Sequence, residues 1–222
     1  MKHSFTSRVL ALLALSAPPA AAAQEPARPA PTPSPAAQSG LAVSVPAFPN
    51  SACPIMGKRV STRLYAETER GRIYVCCKSC IQDILLDVDG TYRTAYPSAR
   101  DAGNSVCPVS GEPVGEQPYL LELQGVRFAL SRAEHAEAAR ANAQALLARH
   151  ANPSLEELGN RTCPVTGKPA DAAALVQIGT TLVRLASLRE FDAVRADPAG
   201  VLAKARALRE QELKTAAAGR KE

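Results

Sequence analysis

Cys53-Pro54-Ile55-Met56-Gly57-Lys58 decides how this chain is read, because its pattern returns twice. Cys107-Pro108-Val109-Ser110-Gly111-Glu112 and Cys163-Pro164-Val165-Thr166-Gly167-Lys168 follow at offsets of 54 and 56 residues. Spacing of this size indicates a repeated supersecondary unit. In each copy Pro stiffens the turn. Gly, four residues after Cys, permits a left-handed backbone that turns amides toward the sulfur.

Counted from each Cys without insertion, the copies run in parallel. Eighteen residues on stand Gly71, Gly125 and Thr181. Twenty-three on stand Cys76, Leu130 and Ala186, and twenty-seven on stand Cys80, Glu134 and Glu190. Between turn and cluster, β-branched and apolar residues flank Gly-containing turns, which predicts one hairpin per copy. The expected strands are 63–67 and 72–75, then 119–123 and 126–130, then 175–178 and 182–185. A helix is expected after each hairpin. Copy one runs over about 81–88, ended by Asp89-Gly90, and copy two runs unbroken to about His150. Copy three has a short helix to about Arg195, then one from Asp197-Pro198 through Leu208. Ser131 with Glu134 and Ser187 with Glu190 read as capping boxes. The expected fold class is therefore α+β: three small turn–β-hairpin–helix modules in tandem. Small units suit a chain with 4% aromatics and no Trp, since thin cores often need a staple.

Only copy one carries a thiol cluster, Cys76-Cys77-Lys78-Ser79-Cys80. The candidate metal ligands are Cys53, Cys76 and Cys80, with Cys77 or Met56 as a fourth. Four sulfurs suit Zn(II), and soft, low-coordinate thiolates suit Cu(I). A helix start lowers thiol pKa and favours metallation. Met56 also reads as a packing residue beneath the turn. Six Cys in an exported chain could instead form three disulfides. Cys77-x-x-Cys80 could also be a redox pair. Cys107 and Cys163 read as buried small hydrophobes, and His135 and His150 as solvated side chains on a polar helix face.

The pattern of Cys53, about twenty residues, then Cys76-x-x-x-Cys80 at the end of a hairpin resembles the TRASH-type and related YHS-type domains. The string Tyr74-Val75-Cys76-Cys77-Lys78-Ser79-Cys80 is similar to the Phe/Tyr-x-Cys-Cys-x-x-Cys form of that family. The resemblance covers about residues 51–90. It implies a treble-clef-like, zinc-ribbon-related metal fold and a role in heavy-metal sensing, trafficking or resistance. Copies two and three keep the turn and hairpin and depart from the ligand set.

Lys2 and Arg8 precede an apolar run over 9–15 and an Ala-rich end at 21–23, the pattern of a signal peptide, with no span long enough for a membrane helix. The expected organisation is a signal peptide at 1–23, a Pro/Ala-rich linker at 24–50, and modules at 51–104, 105–160 and 161–214. A disordered tail follows at 215–222. Export implies a periplasmic or secreted protein without stable membrane insertion. The net charge of +5 falls to +3 without Lys2 and Arg8, and basic residues are mixed with acids. No basic stripe with stacking aromatics is present, so nucleic acid is not an expected partner. No catalytic residue set is visible, and no enzyme is expected. The leading expectation is an exported Zn- or Cu-binding chaperone, buffer or sensor. The alternative is a structural or interaction scaffold whose first module is stapled by disulfides or metal and which meets a protein partner through modules two and three; a thiol oxidoreductase built on Cys77 and Cys80 is the third reading.

Overall fold

The protein is described by a computed structural model over residues 40–218. The expected signal peptide and most of the linker lie outside the described residues. Those residues form a mixed α+β fold of small sheets and helices. The elements in order are β1 (Val43–Ser44), β2 (Tyr65–Thr68), β3 (Gly71–Tyr74), α1 (Ser79–Leu86), α2 (Val88–Ala95) and β4 (Arg100–Asp101). Then come β5 (Tyr119–Leu123), β6 (Val126–Leu130), α3 (His135–Ala141), α4 (Ala143–Ala151) and β7 (Glu156–Glu157). The last are β8 (Leu175–Ile178), β9 (Thr181–Arg184), α5 (Phe191–Ala196) and α6 (Pro198–Ala218).

Each copy has its antiparallel hairpin, β2–β3, β5–β6 and β8–β9. The knuckle turns are the same in all three. Gly57, Gly111 and Gly167 have φ of 66°, 76° and 73°. Their amides donate to the carbonyls of Cys53, Cys107 and Cys163 at 2.8, 2.9 and 2.9 Å. A Cβ at a positive φ is strained, which is why Gly stands there.

An Asn three residues before each Cys ties knuckle to hairpin. Asn50 donates to the Ala52 and Tyr74 carbonyls and accepts from the Tyr74 amide. Asn104 does the same with Val106 and Ala129, and Asn160 with Thr162 and Arg184. These anchors reveal one extra residue in copy two. The Asn-to-strand separation is 24 residues in copies one and three and 25 in copy two. The bridges Val106–Pro113 and Thr162–Pro169 still match, so the insertion lies between Val114 and the β5 strand. The ungapped count is therefore corrected: Val126, not Gly125, matches Gly71 and Thr181 as the first residue of the return strand.

Helix boundaries differ from expectation for one recurring reason. Asp87, Asn142 and Asp197 stand at the same place in the corrected register, and each separates two helices. Asp87 accepts from the Gly90 amide and Asp197 from the Gly200 amide, both at 2.9 Å. An N-cap carboxylate satisfies an orphan donor at a helix start. Asp89-Gly90 therefore lies inside α2 rather than ending a helix. The long helix expected in copy two breaks at Asn142. The last helix runs on to Ala218, into the segment expected to be a disordered tail. The Ser131/Glu134 capping box does not form, whereas the Ser187/Glu190 box does, ahead of α5.

The folded part also begins earlier than Ser51. Val43 and Ser44 pair with Ile178 and Gln177, so the end of the expected linker closes the copy-three sheet. Strands β4 and β7 add in parallel to β6 and β9. Their first amides, of Arg100 and Glu156, donate to Gly125 and Thr180 carbonyls at 2.9 Å each. In copy one this position is Pro46, which has no N–H to give. The matching carbonyl, of Arg70, instead accepts from the Gln124 amide at 2.9 Å, which joins copy one to copy two.

The three modules pack together. Gln124, 5% exposed, accepts from the Arg72 amide at 3.1 Å and from Gln144, and donates to the Phe48 carbonyl at 3.0 Å. Arg72, 3% exposed, pairs with Glu67 and donates to the Ala173 carbonyl of module three at 2.6 Å. Leu155, Leu175 and Leu182 pack on Ala145 and Ala148 of α4, so modules two and three share a small core. No described helix is long and apolar enough to cross a membrane.

Candidate metal centre

In module one the knuckle, the end of the hairpin and the start of α1 meet at sulfur. Cys53 sits at the knuckle, Cys76 two residues after β3, and Cys80 in the first turn of α1. Their Sγ atoms all lie within 4.8 Å of one another. Cys76 and Cys80 are 3.9 Å apart. Two thiolates held tetrahedrally at about 2.3 Å from one ion are about 3.8 Å apart, so this edge fits.

Cys77 stands outside that mutual group but touches two of its members. Its sulfur is 3.3 Å from Cys80 and 3.9 Å from Cys76. These separations are far from the 2.03–2.05 Å of a disulfide, and all six cysteines are free. Met56 is 52% exposed, so it does not pack beneath the turn as the sequence suggests.

The cluster has a dry side and a wet side. Cys53 and Cys80 are 1% exposed and belong to the module core with Ile73, Val75, Ile84 and Tyr92. Cys76 and Cys77 are half-buried and face outward with the exposed Lys78 and Ser79. Burial raises the Cys53 thiol, but amides of Cys76, Met56 and Ile55 outweigh it and leave its pKa below the ordinary value. Hydrogen bonds from the Ser79 hydroxyl and the Cys80 amide bring Cys77 down to about 6. Burial and the neighbouring thiols push Cys80 up to about 12, and burial also raises Cys76. Ionising all of them crowds like charges into one spot, and a bound cation is the direct compensation.

The same scaffold presents other donors in modules two and three. Amides of Ile55, Met56 and Cys76 reach the Cys53 sulfur. Those of Val109, Ser110 and Ser131 reach Cys107, and those of Val165, Thr166 and Ala186 reach Cys163. The residue matching Cys76 is therefore Ser131 in module two and Ala186 in module three. The residue matching Cys80 is His135 in module two and Glu190 in module three. His135 is thus no solvated face residue: its Nδ1 lies 3.5 Å from Cys107 Sγ and 3.2 Å from Ser131 Oγ. Glu190 is occupied by its capping box, accepting from the Ser187 amide at 2.7 Å. His150 is exposed and lies edge-on to Phe128.

Sequence reasoning named the module-one thiols but missed the Asn anchors and His135. The anchors carried a signal, Asn at a constant three residues before Cys. His135 became visible only with the register, which Asp87, Asn142 and Asp197 also mark. No protein-family model, curated protein or solved structure matches the chain.

Proposed function

We propose that this is an exported soft-metal-binding protein that acts as a metal chaperone, buffer or sensor through module one. The observation that carries the reading is the mutual approach of the Cys53, Cys76 and Cys80 sulfurs to within 4.8 Å. Its ligands are these three, with Cys77 adjoining, and its cargo is Zn(II) or Cu(I). The resemblance to TRASH- and YHS-type domains, with their treble-clef-like fold, agrees with it and supplies the expectation of metal traffic. A wet side lined by Cys76 and Cys77 supports exchange over permanent burial, because a partner's thiolate can reach the ion there.

The test is metal content after anaerobic loading. The mature chain should retain about one equivalent of Zn or Cu through desalting, and Cys80→Ser should lose it while keeping its circular dichroism spectrum. Retention below about a tenth of an equivalent by the unaltered chain would sink the proposal.

A further inference from the structure

We propose that module two holds a second metal site of different chemistry, with Cys107 and His135 as its protein ligands and a preference for a borderline divalent ion such as Zn(II) or Co(II). It stands on module two's own residues and does not depend on module one binding metal.

Three unrelated features place His135 where module one has Cys80. The Asn104 anchor meets Ala129, two residues before Ser131, as Asn50 meets Tyr74, two residues before Cys76. The Ser131 amide reaches Cys107 as the Cys76 amide reaches Cys53. Asn142 breaks the helix pair as Asp87 does. His135 opens α3 and turns its Nδ1 toward the knuckle.

Distance then agrees with coordination. A thiolate at about 2.3 Å and an imidazole nitrogen at about 2.0–2.1 Å from a tetrahedral ion are about 3.6 Å apart. Cys107 Sγ and His135 Nδ1 are 3.5 Å apart. The Ser131 hydroxyl lies 3.2 Å from Nδ1, an oxygen beside the pair. The exposed Glu112 carboxylate accepts from that hydroxyl at 3.4 Å. Glu112 also contacts Ser110 at 3.3 Å and Arg132 at 3.5 Å. Replacing two thiolates by imidazole and oxygen moves a site away from Cu(I) and toward Zn(II) and Co(II). Two strong protein ligands rather than three or four also make this site the weaker of the pair. One fold thus offers a soft site in module one and a borderline site in module two.

Co(II) reports ligand type through its visible and charge-transfer bands, and is titrated anaerobically into the full chain. The unaltered protein should take a second equivalent beyond the first. His135→Gln should abolish that second uptake and leave the first unchanged. His135→Cys should restore it with a stronger sulfur-to-metal band. In parallel, adding Zn(II) should move the His135 imidazole resonances and leave those of His150 in place. If the unaltered chain takes up only one equivalent and His135→Gln abolishes it, the module-one reading fails and this one stands. Saturation that His135→Gln leaves unaltered, or a His135 signal that ignores Zn(II), reduces the contact to a thiol–imidazole hydrogen bond and overturns the proposal.

Discussion

Modules one and three share their frame and differ at the chemistry. Both have a Cys-Pro knuckle, an Asn anchor with three hydrogen bonds, a hairpin, and an Asp that caps the second helix. At the Cys76 and Cys80 positions module three has Ala186 and Glu190, and Glu190 serves a helix cap. Module three nonetheless buries a full core around Cys163, Val176, Val183, Leu185 and Val194. The frame is therefore held by anchors and apolar packing. A frame of this kind is built in module three without the two extra thiols, which is the physical argument for proposing that module one uses them in binding.

The strongest way to break this comparison is to remove an anchor. Asn160 is 0% exposed, and Asn160→Ala strips partners from the Arg184 amide, the Arg184 carbonyl and the Thr162 carbonyl. An unpaired buried polar group costs about 1–3 kcal/mol, so urea unfolding should show a loss of about 3 kcal/mol or more. The metal-free Cys80→Ser protein should lose less than this. If the order is reversed, the thiols rather than the anchors hold the modules.

Next in size is the joint between modules. Gln124→Ala removes the acceptor of the buried Arg72 amide and the donor to the part-buried Phe48 carbonyl. A loss of about 2–3 kcal/mol is expected, with modules one and two becoming separable to proteolysis. A change under about 0.5 kcal/mol, the range of ordinary surface substitutions, would mean that the modules dock by other contacts.

The smallest expected effect concerns the knuckle sulfur that module three keeps. Burial raises the Cys163 thiol, but the Thr166 hydroxyl and the amides of Thr166, Ala186 and Val165 outweigh it, so its pKa lies below the ordinary 9.0. A group whose folded pKa is depressed adds stability that is complete above the unfolded value. That stability is lost as pH falls through the folded value. The stability gap between the unaltered protein and Cys163→Ala should therefore widen as pH rises toward 9.0 and level off above it. A pH-independent gap, measured by urea unfolding across that window, would show the amides to be structural only.

Much of this molecule was legible in its residues. The hairpins follow from β-branched runs around short turns. Residues 119–123 and 126–130 form the strands expected of them. The knuckles follow from Pro and Gly, and the three clustered thiols from spacing. What stayed hidden was nonlocal. The extra residue before β5 sits in a polar loop that carries no periodicity to betray a slip. Asn50, Asn104 and Asn160 look like ordinary turn residues until their partners 24 or 25 positions away are known. Pro46 reads as linker, yet it stands in register with Arg100 and Glu156, and the carbonyl matching their acceptors, that of Arg70, takes the Gln124 amide instead. Asp87 and Asp197 could have been found as helix caps, since each precedes a Gly by three residues.

The central claim, that module one binds a soft ion through its thiolates, is tested most directly by X-ray absorption at the metal edge. The sample is the His135→Gln chain loaded anaerobically with one equivalent of Zn(II), so that only module one contributes. The account predicts a shell of three or four sulfurs at about 2.3 Å, four if Cys77 joins Cys53, Cys76 and Cys80. A shell of nitrogen and oxygen alone, at about 2.0–2.2 Å, would contradict it.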